Sequence, residues 1–78
     1  MESIGAKLQG TRESKGYSVE QVARETHIAR RFLEALEAED FETFPGEPYL
    51  LGFLRTYANF LDLDSDELVT LYRNTQIQ

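Results

Sequence analysis

Residues 18–38 read SVEQVARETHIARRFLEALEA, and the reading of this stretch decides the fold. Ser18 opens it as an S-x-x-Q capping box with Gln21, the hydroxyl and the amide each satisfying an otherwise orphaned backbone N–H. Val19, Val22 and Ala23 recur at three- and four-residue steps, the inward face of a short helix that stops near Glu25. Thr26, His27 and Ile28 form a tight link. A second helix then runs from about Ala29 to Ala38 with Phe32, Leu33 and Leu36 on its apolar side. Two short helices joined this closely make a helix-turn-helix unit over about residues 18–38.

Working outward, Ser3 caps a first helix over about residues 4–15 in which Ile4 and Leu8 share a face, and Gly16 supplies the left-handed residue that ends it. Beyond the unit, residues 40–46 carry Phe41 and Phe44 followed by Pro45-Gly46, a loop whose aromatics plug the core. Pro48 suits the first position of a fourth helix over about 48–61, behind Glu47. Asp64 and Glu67 make a reciprocal cap for a fifth helix over about 64–73 carrying Leu68, Leu71 and Tyr72. No stretch alternates with period two long enough for a convincing strand. The expectation is a single all-α domain over residues 1–78 with five helices, and Thr75–Gln78 reads as a fraying tail or as the point where a longer protein was cut.

Composition narrows the function. At 78 residues and 9.0 kDa the chain is one small module, and its 41% hydrophobic content supports a core while 28% charged residues and two prolines argue against disorder. With no cysteine and one histidine, neither a disulfide framework nor a thiolate metal site is available, and the compartment reads as reducing and cytoplasmic. The N-terminus has no apolar signal core, and no apolar run approaches the roughly 18 residues of a membrane span. The run Asp62–Glu67 lacks the glycine and distal glutamate of a calcium loop, so it reads as a helix start. No nucleophile–base pair, phosphate-cradling loop or carboxylate dyad is visible, so neither an enzyme nor a cofactor is expected. The formal net charge of −6 is uneven: Lys7, Arg12, Lys15, Arg24, Arg30 and Arg31 make six of the eight basic residues, all within the first 31 positions.

The combination of RFLEALEAEDFETFPGEPY (residues 31–49) with GFLRTYANFL (residues 52–61) is distinctive, because ordinary repressors lack such an aromatic fourth helix. Over about residues 4–73 the chain resembles the cytoplasmic domain of the RodZ family of bacterial cell-shape proteins, a variant of the phage-repressor helix-turn-helix. The resemblance implies a five-helix cytoplasmic head, joined in full-length members through a basic segment to one transmembrane helix and a periplasmic domain. It further implies docking to MreB, the bacterial actin, through aromatics of the fourth helix: Tyr49 and Phe53 first, then Tyr57. Two departures stand out. Leu51 occupies a position where the family often has Arg or Lys, and Asp62 one where Gly is common, which puts an easy left-handed cap in doubt.

The residues reach the same helix independently. Taking Tyr49 as zero at about 100 degrees per residue, Phe60 falls near 20, Phe53 near 40 and Tyr57 near 80 degrees. Leu50, Leu61, Leu54, Ala58 and Leu51 span about 100 to 200 degrees. This arc is about twice the width of one core-facing stripe, so an aromatic half faces a partner unless neighbouring helices cover the whole of it. The expected contact set is Tyr49, Phe53 and part of Tyr57. Arg55 and Thr56 flank it as a polar face, and Phe60 lies at the core or rim.

DNA is the competing partner, since a helix-turn-helix ordinarily places the start of its second helix in the major groove. Here those positions hold His27, Arg30 and Arg31. Against it, Glu34, Glu37, Glu39 and Asp40 follow, and the sequence pI is about 4.6. Arg30 and Glu34 also make an i,i+4 pair, and a lone histidine in such a turn reads as a capping or surface residue. Homodimerisation through the aromatic stripe is a third reading.

Overall fold

Local capping chemistry fixes where most of the helices begin. The structure, a computed structural model, describes residues 3–76. It contains α1 (Ile4–Ser14), α2 (Val19–Thr26), α3 (Arg30–Ala38), a 3-10 turn (Phe41–Thr43), α4 (Glu47–Phe60) and α5 (Ser65–Thr75), with no strand among the described residues. Ser3 Oγ accepts from Ala6 N at 3.1 Å, and Ser18 Oγ from Gln21 N at 3.0 Å. Asp64 Oδ1 accepts from Asp66 N and Glu67 N at 3.0 and 3.3 Å. The boxes close only from this side: the Gln21 amide turns to Glu25 and the Glu67 carboxylate to Lys7. Each of those side chains gains a contact one turn along or on another helix in exchange for the reciprocal cap.

Several boundaries differ from the sequence reading. Helix α2 includes Thr26, whose hydroxyl donates to Val22 O at 2.7 Å and accepts from Ile28 N at 3.2 Å, so the link is His27–Ala29. The Phe41–Thr43 segment coils into a 3-10 turn rather than a plain loop. Pro48 is the second residue of α4, not the first, and α5 runs two residues further than expected. Of the Thr75–Gln78 tail, Thr75 ends α5 and Gln76 caps it, while residues 77 and 78 lie outside the described residues.

Helix ends use the left-handed region four times. Gly16 has φ 77°, as its lack of a Cβ allows. His27, Glu39 and Asp62 adopt φ 62°, 59° and 62°. Asp62 therefore makes the turn that glycine would make more easily, and Leu63 N donates to Ala58 O at 2.8 Å across it.

Leu8, Val22, Leu33, Leu36, Leu54, Leu61 and Leu68 are fully or almost fully buried, one contribution or more from every α-helix. Helix α4 lies at the centre, against α2, α3 and α5. Helix α1 crosses α3 so closely at Gly5 that a Cβ there would stand 2.0 Å from the Glu37 carbonyl oxygen. Glu39 Oε2 accepts from Gly5 N at 3.0 Å at the same crossing.

Candidate protein-docking face

The first turns of α4 carry the surplus aromatic surface. Tyr49 is 59% exposed, the one large hydrophobic side chain among the described residues left that open. Four residues on, Phe53 is half-buried and belongs to a cluster drawn from three elements. Its ring is 5.0 Å from Phe32 on α3, with planes 24° apart, and 6.1 Å from Phe44. Phe32 and Phe44 stack in turn at 5.2 Å. The Arg31 guanidinium sits 4.7 Å from the Phe32 ring centroid, a cation over a π face.

Phe32 is a member of this face that the sequence did not single out, because its place on the apolar side of α3 read as core. The signal available was the pairing of an aromatic on α3 with Phe44 in the connector.

Phe60 sits apart from this cluster: it is half-buried and lies 5.3 Å from Tyr17, beside the α1–α2 link. Arg55 is exposed and tied down, donating to Asp66 Oδ1 at 2.6 Å and Ser65 Oγ at 3.4 Å, which brackets the start of α5. Thr56 is exposed beside it.

The expectation for Tyr57 is corrected. Its ring is fully buried, and its hydroxyl donates to Glu37 Oε2. The same carboxylate takes two parallel bonds from Arg12, Nε to Oε2 at 2.8 Å and Nη2 to Oε1 at 3.1 Å, while Arg12 Nη1 donates to Tyr17 O at 2.9 Å. This lock joins α1, α3 and α4, and no buried side-chain polar atom among the described residues lacks a partner. Burial first, then the bond to Glu37, raises the Tyr57 phenol well above its ordinary pKa. The bond to Glu37 likewise raises that of the Arg12 guanidinium. An inward-facing anion on α3 therefore draws Tyr57 out of the contact set.

The lock also corrects the charge argument at the helix-turn-helix. Glu37 and Glu39 are turned onto Arg12 and Gly5, so they do not form a surface opposing phosphate. His27, Arg30 and Arg31 are all exposed at the start of α3. Arg30 is engaged on two sides, Nε with Glu34 Oε2 at 2.8 Å and Nη1 with Glu20 Oε2 at 2.5 Å, and its pKa is raised, by Glu34 foremost.

Comparison with known proteins places this geometry. A family profile described as a helix-turn-helix domain matches residues 7–68. The chain belongs to this helix-turn-helix family. It is similar to the cytoskeleton protein RodZ of Streptococcus pneumoniae, 34% identical over 70 residues that cover 90% of this chain and 25% of that protein. It is also similar to the membrane protein YmfM of Bacillus subtilis, 35% identical over 51 residues, 65% of this chain and 18% of that one. The chain thus spans a quarter or less of the length of these curated relatives. Among solved structures, YmfM of Staphylococcus aureus, a membrane protein for which DNA binding has been suggested, superimposes with a TM-score of 0.86. That match has 27% identity and covers 94% of this chain and 89% of the other. The relatives are thus a cytoskeleton protein and membrane proteins, and the chain shares with the solved one an all-α helix-turn-helix fold. Among the described residues no helix is long and apolar enough to cross a membrane, and no group of three or more His, Cys, Asp or Glu is arranged to hold a metal ion.

Proposed function

We propose that this chain is a non-catalytic cytoplasmic adaptor head that binds a bacterial actin of the MreB type and links it to the membrane in maintaining rod shape. The observation that carries this reading is Tyr49, 59% exposed at the edge of the Phe32–Phe44–Phe53 cluster. A ring of that size left open beside the half-buried Phe32 and Phe53 is what a docking partner would bury. Tyr49 and Phe53 are the anchors, Phe32 supports them, and Arg55 and Thr56 flank the face, while Phe60 lies apart beside Tyr17. Similarity to the RodZ cytoskeleton protein over 90% of the chain supports the class of partner. The test is a titration of purified MreB with the wild type and with Tyr49→Ala; the variant is expected to bind at least tenfold more weakly, and equal affinity sinks the reading.

DNA binding is a second reading, favoured by the structural similarity to a protein for which it has been suggested. A salt series with duplex DNA decides it: a steep fall of log affinity with log salt supports it, and no binding at about 50 mM salt disposes of it.

A further inference from the structure

The recognition end of the helix-turn-helix carries a feature that docking on α4 does not use. A guanidinium reads guanine, or grips phosphate, by presenting two parallel N–H donors along one edge. Arg30 has two such edges, Nε with Nη2 and Nη1 with Nη2. Glu34 holds Nε at 2.8 Å and Glu20 holds Nη1 at 2.5 Å, so a carboxylate stands on one nitrogen of each edge. The two carboxylates come from different helices, Glu20 from the first turn of α2 and Glu34 from the turn of α3 that follows Arg30.

Both acids also stand where a duplex would lie. In this type of unit the first helix crosses the phosphate backbone while the second enters the groove by its N-terminal end. The Glu20 and Glu34 side chains are 58% and 50% exposed, so their charge reaches solvent on that side. The neighbouring cation, Arg31, is drawn over the Phe32 ring at 4.7 Å, on the edge of the aromatic cluster.

We infer that Glu20 and Glu34 are specificity-determining residues that exclude duplex DNA from this helix-turn-helix, by occupying both edges of Arg30 and by setting two carboxylates against the phosphate path. The unit keeps the shape of a DNA reader while its one well-placed reading side chain is neutralised internally. This holds whichever protein docks on α4.

Fluorescence anisotropy with a labelled duplex of arbitrary sequence, at about 50 mM salt where phosphate contacts are strong, tests the assignment. Three proteins are compared: the wild type, Glu20→Gln/Glu34→Gln, and a charge-matched control, Glu42→Gln/Asp62→Asn, which alters the 3-10 turn and the α4–α5 link instead. The first double variant is expected to bind at least tenfold tighter than both others, with a steeper salt dependence. Adding Arg30→Ala should abolish the gain. A gain below tenfold overturns the inference, as does an equal gain in the control, which would assign the effect to net charge alone. Wild-type binding as tight as that of the variant overturns it too. The substituted side chains are all exposed, so the helical melt is expected to survive, and a thermal scan of each variant checks this.

Discussion

Tyr49 and Tyr57 lie two turns apart on α4, yet the first is 59% exposed and the second is fully buried. Their azimuths differ by only about 80 degrees, so the helix alone does not separate them. Each meets a different neighbour. Opposite Tyr57, α3 presents the Glu37 carboxylate, itself clasped by Arg12, and a phenol that reaches an anion in a dry site satisfies both groups. Around Tyr49, in the first turns of α4, Gly46 stands close to the ring with no side chain to cover it, and α3 offers rings only as far as Phe53. One side of α4 is thus closed by a polar lock and the other is left open by the lack of a cover. Whether an aromatic stripe is a core or an interface is decided ring by ring, by what the facing helix supplies.

The contrast can be broken most severely at the lock. Glu37→Ala leaves Arg12 nearly buried without its anion and Tyr57 without its acceptor, and is expected to destabilise the fold by about 3–5 kcal/mol in urea unfolding. Replacing Arg12 and Glu37 together by Met should recover much of that loss, because the penalty belongs to the unpaired charge rather than to the pair. At the same crossing, Gly5→Ala forces a Cβ to within 2.0 Å of the Glu37 carbonyl oxygen, so α1 must shift. A loss of about 3 kcal/mol is expected in the same assay, by overpacking.

A smaller perturbation sharpens the comparison. Tyr57→Phe keeps the ring and removes one donor from a buried carboxylate, for an expected loss of about 2 kcal/mol. It also changes the response to alkali. The phenol of Tyr57 is raised above its ordinary value of 10.0 in the folded chain. Its stabilising contribution is therefore whole below about pH 10 and is lost as pH climbs from there toward the raised value. Tyr72, raised by burial and then by Glu47, acts in the same sense. Urea unfolding at pH 8 and at about pH 11 should show the wild type weakening, and Tyr57→Phe should remove part of that slope and leave the part due to Tyr72. An identical slope in the variant would mean that Tyr57 is not held as described.

Much of this was legible in the sequence wherever the determinant is local. Ser3, Ser18 and Asp64 mark helix starts because each cap reaches only two or three residues along the chain. The aromatic excess of α4 shows in its periodicity, and so does the direction of its aliphatic arc, since Leu50, Leu54, Ala58 and Leu61 are all buried. Tyr57 was not legible, because its fate depends on Glu37, twenty residues away. Glu37 itself read as one of a run of surface acids. A clue lay in α1, where Ile4, Leu8 and Arg12 share one line at four-residue steps. A cation at the end of an inward line requires a buried anion, but sequence does not say which glutamate provides it.

The least disruptive test for the fold is the most telling for function. Tyr49 is more exposed than covered, so Tyr49→Ala removes little buried area and should leave the melting transition within about 0.5 kcal/mol of the wild type. If the ring is an anchor, the same substitution should weaken binding to MreB by about 2 kcal/mol, roughly thirtyfold. Tyr57→Phe should give the inverse pattern, with reduced stability and unchanged affinity, since its hydroxyl never reaches the surface. Phe53→Ala should fall between them, because its ring stacks on Phe32 and lies one helical turn along from Tyr49, so it should lose stability and affinity together. The order of the three variants on two axes carries the argument: a Tyr49→Ala protein that melts early would make that ring part of the core. One that melts normally and still binds would move the docking face off α4 altogether.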